Sequence, residues 1–179
     1  MLIDLGFCKK FVDEENRHIA FRRGKPITGT ARYISVNNHA GCELSRRDDL
    51  EALLYMIVFL HKGTLPWQGL PPTADVRERY RQVAQIKADT AAAVLCSSMP
   101  PQYAAFHGAV KRLAFEERPP YEDLRATFYQ ALLQMGVSMA DMKYDWNEAQ
   151  EPKSEVLAAL AAQQPQQQQQ PQPQLQQQQ

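Results

Sequence analysis

The sequence predicts a mainly α-helical body followed by a disordered, Gln/Pro-rich tail. Three observations carry that expectation. Apolar residues recur at helical spacing in separate stretches between residues 48 and 135. Strand signals are few, and there is no internal repeat. The last 17 residues hold 13 Gln, 3 Pro and 1 Leu, which leaves too little apolar area to offset the entropy of ordering them.

The elements follow in order. Leu2-Ile3-Asp4-Leu5-Gly6 reads as the end of a buried strand and a turn, with no partner strand before it, so a missing upstream part is expected. Residues 7–47 are irregular. The first 47 residues carry nine basic and five acidic side chains, and the remainder of the chain balances them to a formal charge of zero. A long loop rich in Gly, Thr and Arg is unusual in a compact domain and is often functional. Residues 48–62 read as a helix: Ser45 is the N-cap, Asp48 and Asp49 lie in the first turn, and Gly63 follows the end. Residues 53–60 are apolar on every face, which suits a helix in the middle of a core.

Thr64-Leu65-Pro66-Trp67-Gln68-Gly69-Leu70-Pro71-Pro72 reads as a loop, with Trp67 as a packing residue. Residues 73–87 form a charged helix with Val76, Tyr80, Val83 and Ile86 at helical spacing. Two more helical stretches, 101–115 and 121–135, flank Glu116-Glu117-Arg118-Pro119-Pro120. The domain boundary is placed after residue 147, and residues 148–179 form an Ala-rich and then Gln/Pro-rich tail.

Several function classes drop out. The longest apolar run is eight residues, too short for a membrane span. The N-terminus is not a secretory signal. Cys8, Cys42 and Cys96 are scattered and odd in number, which suits a reducing compartment; cytosol or nucleus is expected. The four histidines show no metal-ligand spacing and are expected in structural or surface roles. Zero formal charge argues against a globally basic nucleic-acid binder.

Four short segments follow one another in a telling order: Asp4-Leu5-Gly6, Thr28-Gly29-Thr30-Ala31-Arg32-Tyr33, Ser45-Arg46-Arg47-Asp48-Asp49-Leu50-Glu51, and Leu65-Pro66-Trp67-Gln68-Gly69-Leu70. Together they resemble the C-terminal lobe of a serine/threonine protein kinase of the casein kinase 1 family. The resemblance covers roughly residues 1–147 and ends near Tyr144-Asp145-Trp146-Asn147.

The resemblance implies a partial kinase-like lobe with its activation segment at 4–37. It implies phosphoryl transfer from ATP to Ser or Thr hydroxyls with magnesium, the metal being held by Asp4, a hard oxygen ligand. Thr30 matches a residue that supports the catalytic loop. Asp49 matches the Asp that braces that loop from the central helix. Ser35-Val36-Asn37 stands where most kinases carry Ala-Pro-Glu. Lys25, Arg32 and Arg79 match the basic positions that receive an acidic or phosphorylated substrate residue, for which guanidinium geometry is well suited. The expected partners are protein substrates bearing such residues. The same three cations also fit ordinary solvated charges, and Glu51 reads as a helix-surface or capping carboxylate.

The sequence departs from a working kinase at decisive points. It holds no Gly-rich phosphate loop, no strand Lys and no catalytic-loop Asp. The polypeptide by itself is expected to have no phosphotransfer activity and to bind no ATP or magnesium usefully. If the central helix lacks half its cover, several large side chains from residues 53–60 are expected to face water, each forfeiting roughly 1.5–3 kcal/mol of burial. Two rival readings stay open: a non-catalytic docking or scaffold module, and a tail that acts as the interaction segment.

Overall fold

A computed structural model describes residues 6–137. The Asp4 site, the Tyr144-Asp145-Trp146-Asn147 segment and the Gln-rich tail lie outside them. The chain divides into two units between Gly136 and Val137, and the described residues up to Gly136 belong to the first.

The described chain is mainly helical. Pairing of strand type is limited to two isolated bridges, Val12 with His18 and Arg23 with Cys42. Six helices follow the irregular stretch: α1 (Val36–His39), α2 (Arg46–Lys62), α3 (Val76–Asp89), α4 (Ala92–Leu95), α5 (Pro101–Arg112) and α6 (Tyr121–Gln134).

Local chemistry sets the ends of α2. The Ser45 N–H donates to Asp48 Oδ2 at 2.9 Å, which supplies one arm of a capping box. At the other end Gly63 adopts φ 74° and its N–H caps Phe59 O, the left-handed closure that glycine makes without a Cβ penalty. The helix starts at Arg46, two residues before the expected 48. Helix α3 starts at Val76, three residues later than the spacing suggests, because the Asp75 side chain accepts the Arg77 N–H at 2.8 Å and so forms the N-cap.

The core forms around α2. Leu54, Tyr55 and Val58 meet Leu65 and Trp67 from the following loop, Val83 of α3, Leu95 of α4, Phe106 and Val110 of α5, and Leu124 of α6. The main helix contacts are α2 with α5, α5 with α4 and α6, and α1 with α3. Tyr55 and Trp67 cross edge to face at 4.8 Å, a geometry favoured by the ring quadrupoles.

The cover of α2 is one-sided. Leu53, Met56 and Leu60 are 38%, 41% and 74% exposed. They fall at i, i+3 and i+7, one stripe along the helix. The helix is thus apolar all round but packed on one face only, and Leu53, Met56 and Leu60 are the side chains of 53–60 that face water. No described helix is long and apolar enough to cross a membrane.

Candidate functional site

Residues 28–38 are held by several long-range hydrogen bonds. They run as a turn and then one short helix.

At the start, Asn38 grips Thr28 on both sides: its Oδ1 accepts the Thr28 N–H at 3.2 Å and its Nδ2 donates to Thr28 O at 2.8 Å. Gly29 has φ 101°, and a Cβ there would lie 3.0 Å from Ile34 Cγ2, so a side chain would be strained on both counts. Thr30 O accepts the N–H groups of Tyr33 and Ile34 at 2.9 and 3.2 Å, which closes the turn that carries Arg32.

Lys87 of α3 holds that turn from beneath. Its side chain lies within a residue only 3% exposed. Nζ donates to Ala31 O at 2.8 Å and to Ile34 O at 2.6 Å. The ammonium also stands 4.9 Å from the Tyr55 ring centre and 5.0 Å from that of Trp67, within cation–π range. Trp67 Nε1 donates to Arg32 O at 2.8 Å. Burial pushes the Lys87 ammonium down to about 7, while the charge of Glu51 opposes the shift. His39 of α1 is pushed down to about 4, first by burial and then by the Lys87 charge.

Two carboxylates at the head of α2 hold the end of the segment. Asp48 Oδ1 accepts from Ser35 Oγ at 2.7 Å and from Asn37 Nδ2 at 2.9 Å. Glu51 Oε1 accepts from the Val36 N–H at 3.0 Å and from Tyr55 OH at 2.6 Å, and Lys111 Nζ lies 3.4 Å away. Both acids are 3% exposed. Glu51 is thus a buried anchor rather than the helix-surface carboxylate its position suggests. In the Ser35-Val36-Asn37 segment, neutral donors meet the buried acids of α2.

The residues singled out from the sequence fall as follows. Arg32 projects from the clamped turn, exposed, with its guanidinium 4.8 Å from the Phe59 ring centre and 5.7 Å from that of Tyr33. Lys25 is half-buried and pairs with Glu43 at 3.2 Å, an acid it shares with Lys9 at 2.7 Å. The Lys9 contact first, then Lys25, holds the Glu43 carboxyl below its usual range against the effect of burial. Arg79 Nη1 donates to Leu70 O and Pro71 O at 3.3 and 3.2 Å. The three cations therefore have three different partners and share none. Thr30 is exposed and enters through its carbonyl. Asp49 borders a cleft of about 290 Å³ together with Phe7, Lys9, Phe11, Lys25, Glu43 and Arg46; burial and then neighbouring Asp48 raise its carboxyl pKa. Asp48, one residue earlier, holds Ser35 and Asn37.

A second groove, of about 690 Å³, runs beside α3 and is lined by Ile27, His39, Val76, Arg77, Tyr80, Arg81 and Ala84. Among the described residues no group of three His, Cys, Asp or Glu side chains is placed to hold a metal ion. ATP and magnesium rest on the resemblance, and Asp4, the residue it assigns to the metal, lies outside the described residues.

Sequence reasoning missed Lys87, Asp48, Asn38 and the depth of Glu51. One signal for Lys87 was present: it follows Tyr80 and Val83 at i+7 and i+4, a lysine on the apolar stripe of a charged helix. Compared with models of known protein families, the chain matches none.

Proposed function

We propose that residues 6–137 are part of a kinase-like C-terminal lobe of casein kinase 1 type, whose clamped turn receives the acidic or phosphorylated residue of a protein substrate at Arg32. Phosphoryl transfer to Ser or Thr needs a Gly-rich loop and a catalytic Asp that these 179 residues do not contain, so the polypeptide by itself is inactive in this reading. The observation that carries it is the anchoring of residues 28–38. Asn38, Lys87, Trp67, Asp48 and Glu51 fasten that backbone from the inside, and an exposed guanidinium rides on its outer face. A rigid backbone with an unburied, always-charged fork suits bidentate capture of phosphate or carboxylate.

The test is binding of a fluorescein-labelled phosphoserine peptide with acidic neighbours, followed by anisotropy. The phosphorylated form should bind more tightly than its unphosphorylated twin, and Arg32→Ala should erase the difference. Equal binding of the two forms by the unaltered chain would sink the reading. Incubation with Mg-ATP should yield no phosphate transfer from the polypeptide alone.

A second reading, a non-catalytic docking or scaffold module, is favoured by the apolar stripe of Leu53, Met56 and Leu60. It predicts that Leu60→Asp weakens partner capture while phosphopeptide binding is unchanged.

A further inference from the structure

We propose that Lys87 is a positioning residue for anion capture by Arg32, acting through the backbone of the turn with Trp67 as its second arm. The inference rests on the reading of Arg32 as the receiving group and adds what makes that group competent.

The geometry is specific. Among the described residues, Arg32 has its guanidinium placed by stacking on Phe59 and Tyr33. Its backbone is held by three carbonyl captures, at Ala31, Arg32 and Ile34. Two of these come from one ammonium that is sealed from solvent and faces two aromatic rings. An ammonium has three donors on a single atom, so it can bridge two carbonyls three residues apart and still point charge at the rings. Methionine has a similar reach and no donor. Glutamine has donors but a shorter stem. Without the clamp, two carbonyls face an apolar site unpaired, and the turn has reason to open toward water. The Arg32 guanidinium would then sample many positions and lose the fixed fork on which bidentate capture depends.

The fastening also reaches far along the chain. Lys87 and its acceptors are 56 and 53 residues apart, so this part of the fastening lasts only while α3 is docked. Binding of an anion at Arg32 is thereby coupled to the seating of α3 through two hydrogen bonds.

The experiment uses the full chain, the phosphoserine peptide and its unphosphorylated twin. Lys87→Met should cut the preference for the phosphorylated form roughly tenfold. Trp67→Phe, which keeps an aromatic ring and removes the indole donor, should lower the preference in the same direction by a smaller factor. In the Arg32→Ala background neither change should have further effect, because the group they position is gone. A uniform loss of binding to both peptides, or an additive loss in the double variants, would mark Lys87 as a general structural residue and overturn the proposal. If Lys87→Met does not fold, Trp67→Phe decides: an unaltered preference overturns it. If the unaltered chain does not distinguish the two peptides, the reading of Arg32 fails and the positioning role falls with it. If only Arg32→Ala has an effect, the reading of Arg32 stands and the role of Lys87 is refuted.

Discussion

Helix α2 presents two apolar faces made of the same kinds of residue, with opposite fates. On one, Leu54, Tyr55 and Val58 are fully buried beside the Glu51 carboxylate. On the other, Leu53, Met56 and Leu60 stand open. Hydrophobicity alone does not separate them. What separates them is whether a neighbour arrives: α5, the Leu65–Trp67 turn and Lys87 of α3 all converge on the first face. The packed face is also the polar one. Its buried acid and buried cation are tolerated because each meets donors or acceptors at hydrogen-bond distance, the condition under which polar groups are accepted in cores.

The comparison can be tested by matched substitutions. The largest contrast should come from adjacent leucines. Leu54→Ala, on the packed face, should lose about 2–5 kcal/mol of unfolding free energy, while Leu53→Ala should lose under about 1 kcal/mol; urea unfolding of the two variants reads the difference. Equal losses would mean that the second face is covered in solution.

Next is the buried acid. Glu51→Leu strands the Val36 N–H and the Tyr55 hydroxyl, and should cost about 3 kcal/mol. The same unfolding series should show Tyr55→Phe costing less, since it removes only one of the donors.

Lys87 gives a pH test of the packed face. Its folded pKa of about 7 lies below the ordinary 10.5. Between those values the unfolded chain binds a proton that the folded chain does not, so stability rises with pH across the window and the penalty is complete below about 7. Relative to Lys87→Met, the unaltered chain should gain up to about 1.4 kcal/mol per pH unit from pH 7 toward 10. A flat difference between the two melting curves over that range would contradict the burial of the charge.

The smallest effect belongs to the bare stripe. Leu60→Ser should leave stability within about 0.5 kcal/mol and show itself instead as reduced self-association in sedimentation velocity, because exposed apolar patches drive association.

Much of this arrangement was legible in the residue order, for local reasons. The ends of α2 could be read because Ser45, Asp48 and Gly63 act within a turn or two of their own positions. The expected 101–115 and 121–135 stretches likewise appear as α5 (Pro101–Arg112) and α6 (Tyr121–Gln134). Helix α1 could not be read. Val-Asn-Asn-His has poor helix propensity, and this single turn exists because Asp48 and Glu51 hold Ser35, Val36 and Asn37 from 11 to 15 residues away. At the site, Arg32 was visible through its motif, but Lys87 passed as one more charge on a charged helix. Its role depends on burial, and burial is settled by partners more than 50 residues distant.

The 31–34 turn has a kinetic consequence. Its fastenings to Trp67 and Lys87 close loops of 35 to 56 residues, so loop-closure entropy must be met before they reward the chain. Opening of the whole turn breaks the Tyr33 and Ile34 amide hydrogen bonds to Thr30 O together with the indole and ammonium bonds to the neighbouring carbonyls. The Tyr33 and Ile34 amides are therefore expected to exchange their hydrogens more slowly than those of an unfastened surface loop, which hydrogen-exchange mass spectrometry checks.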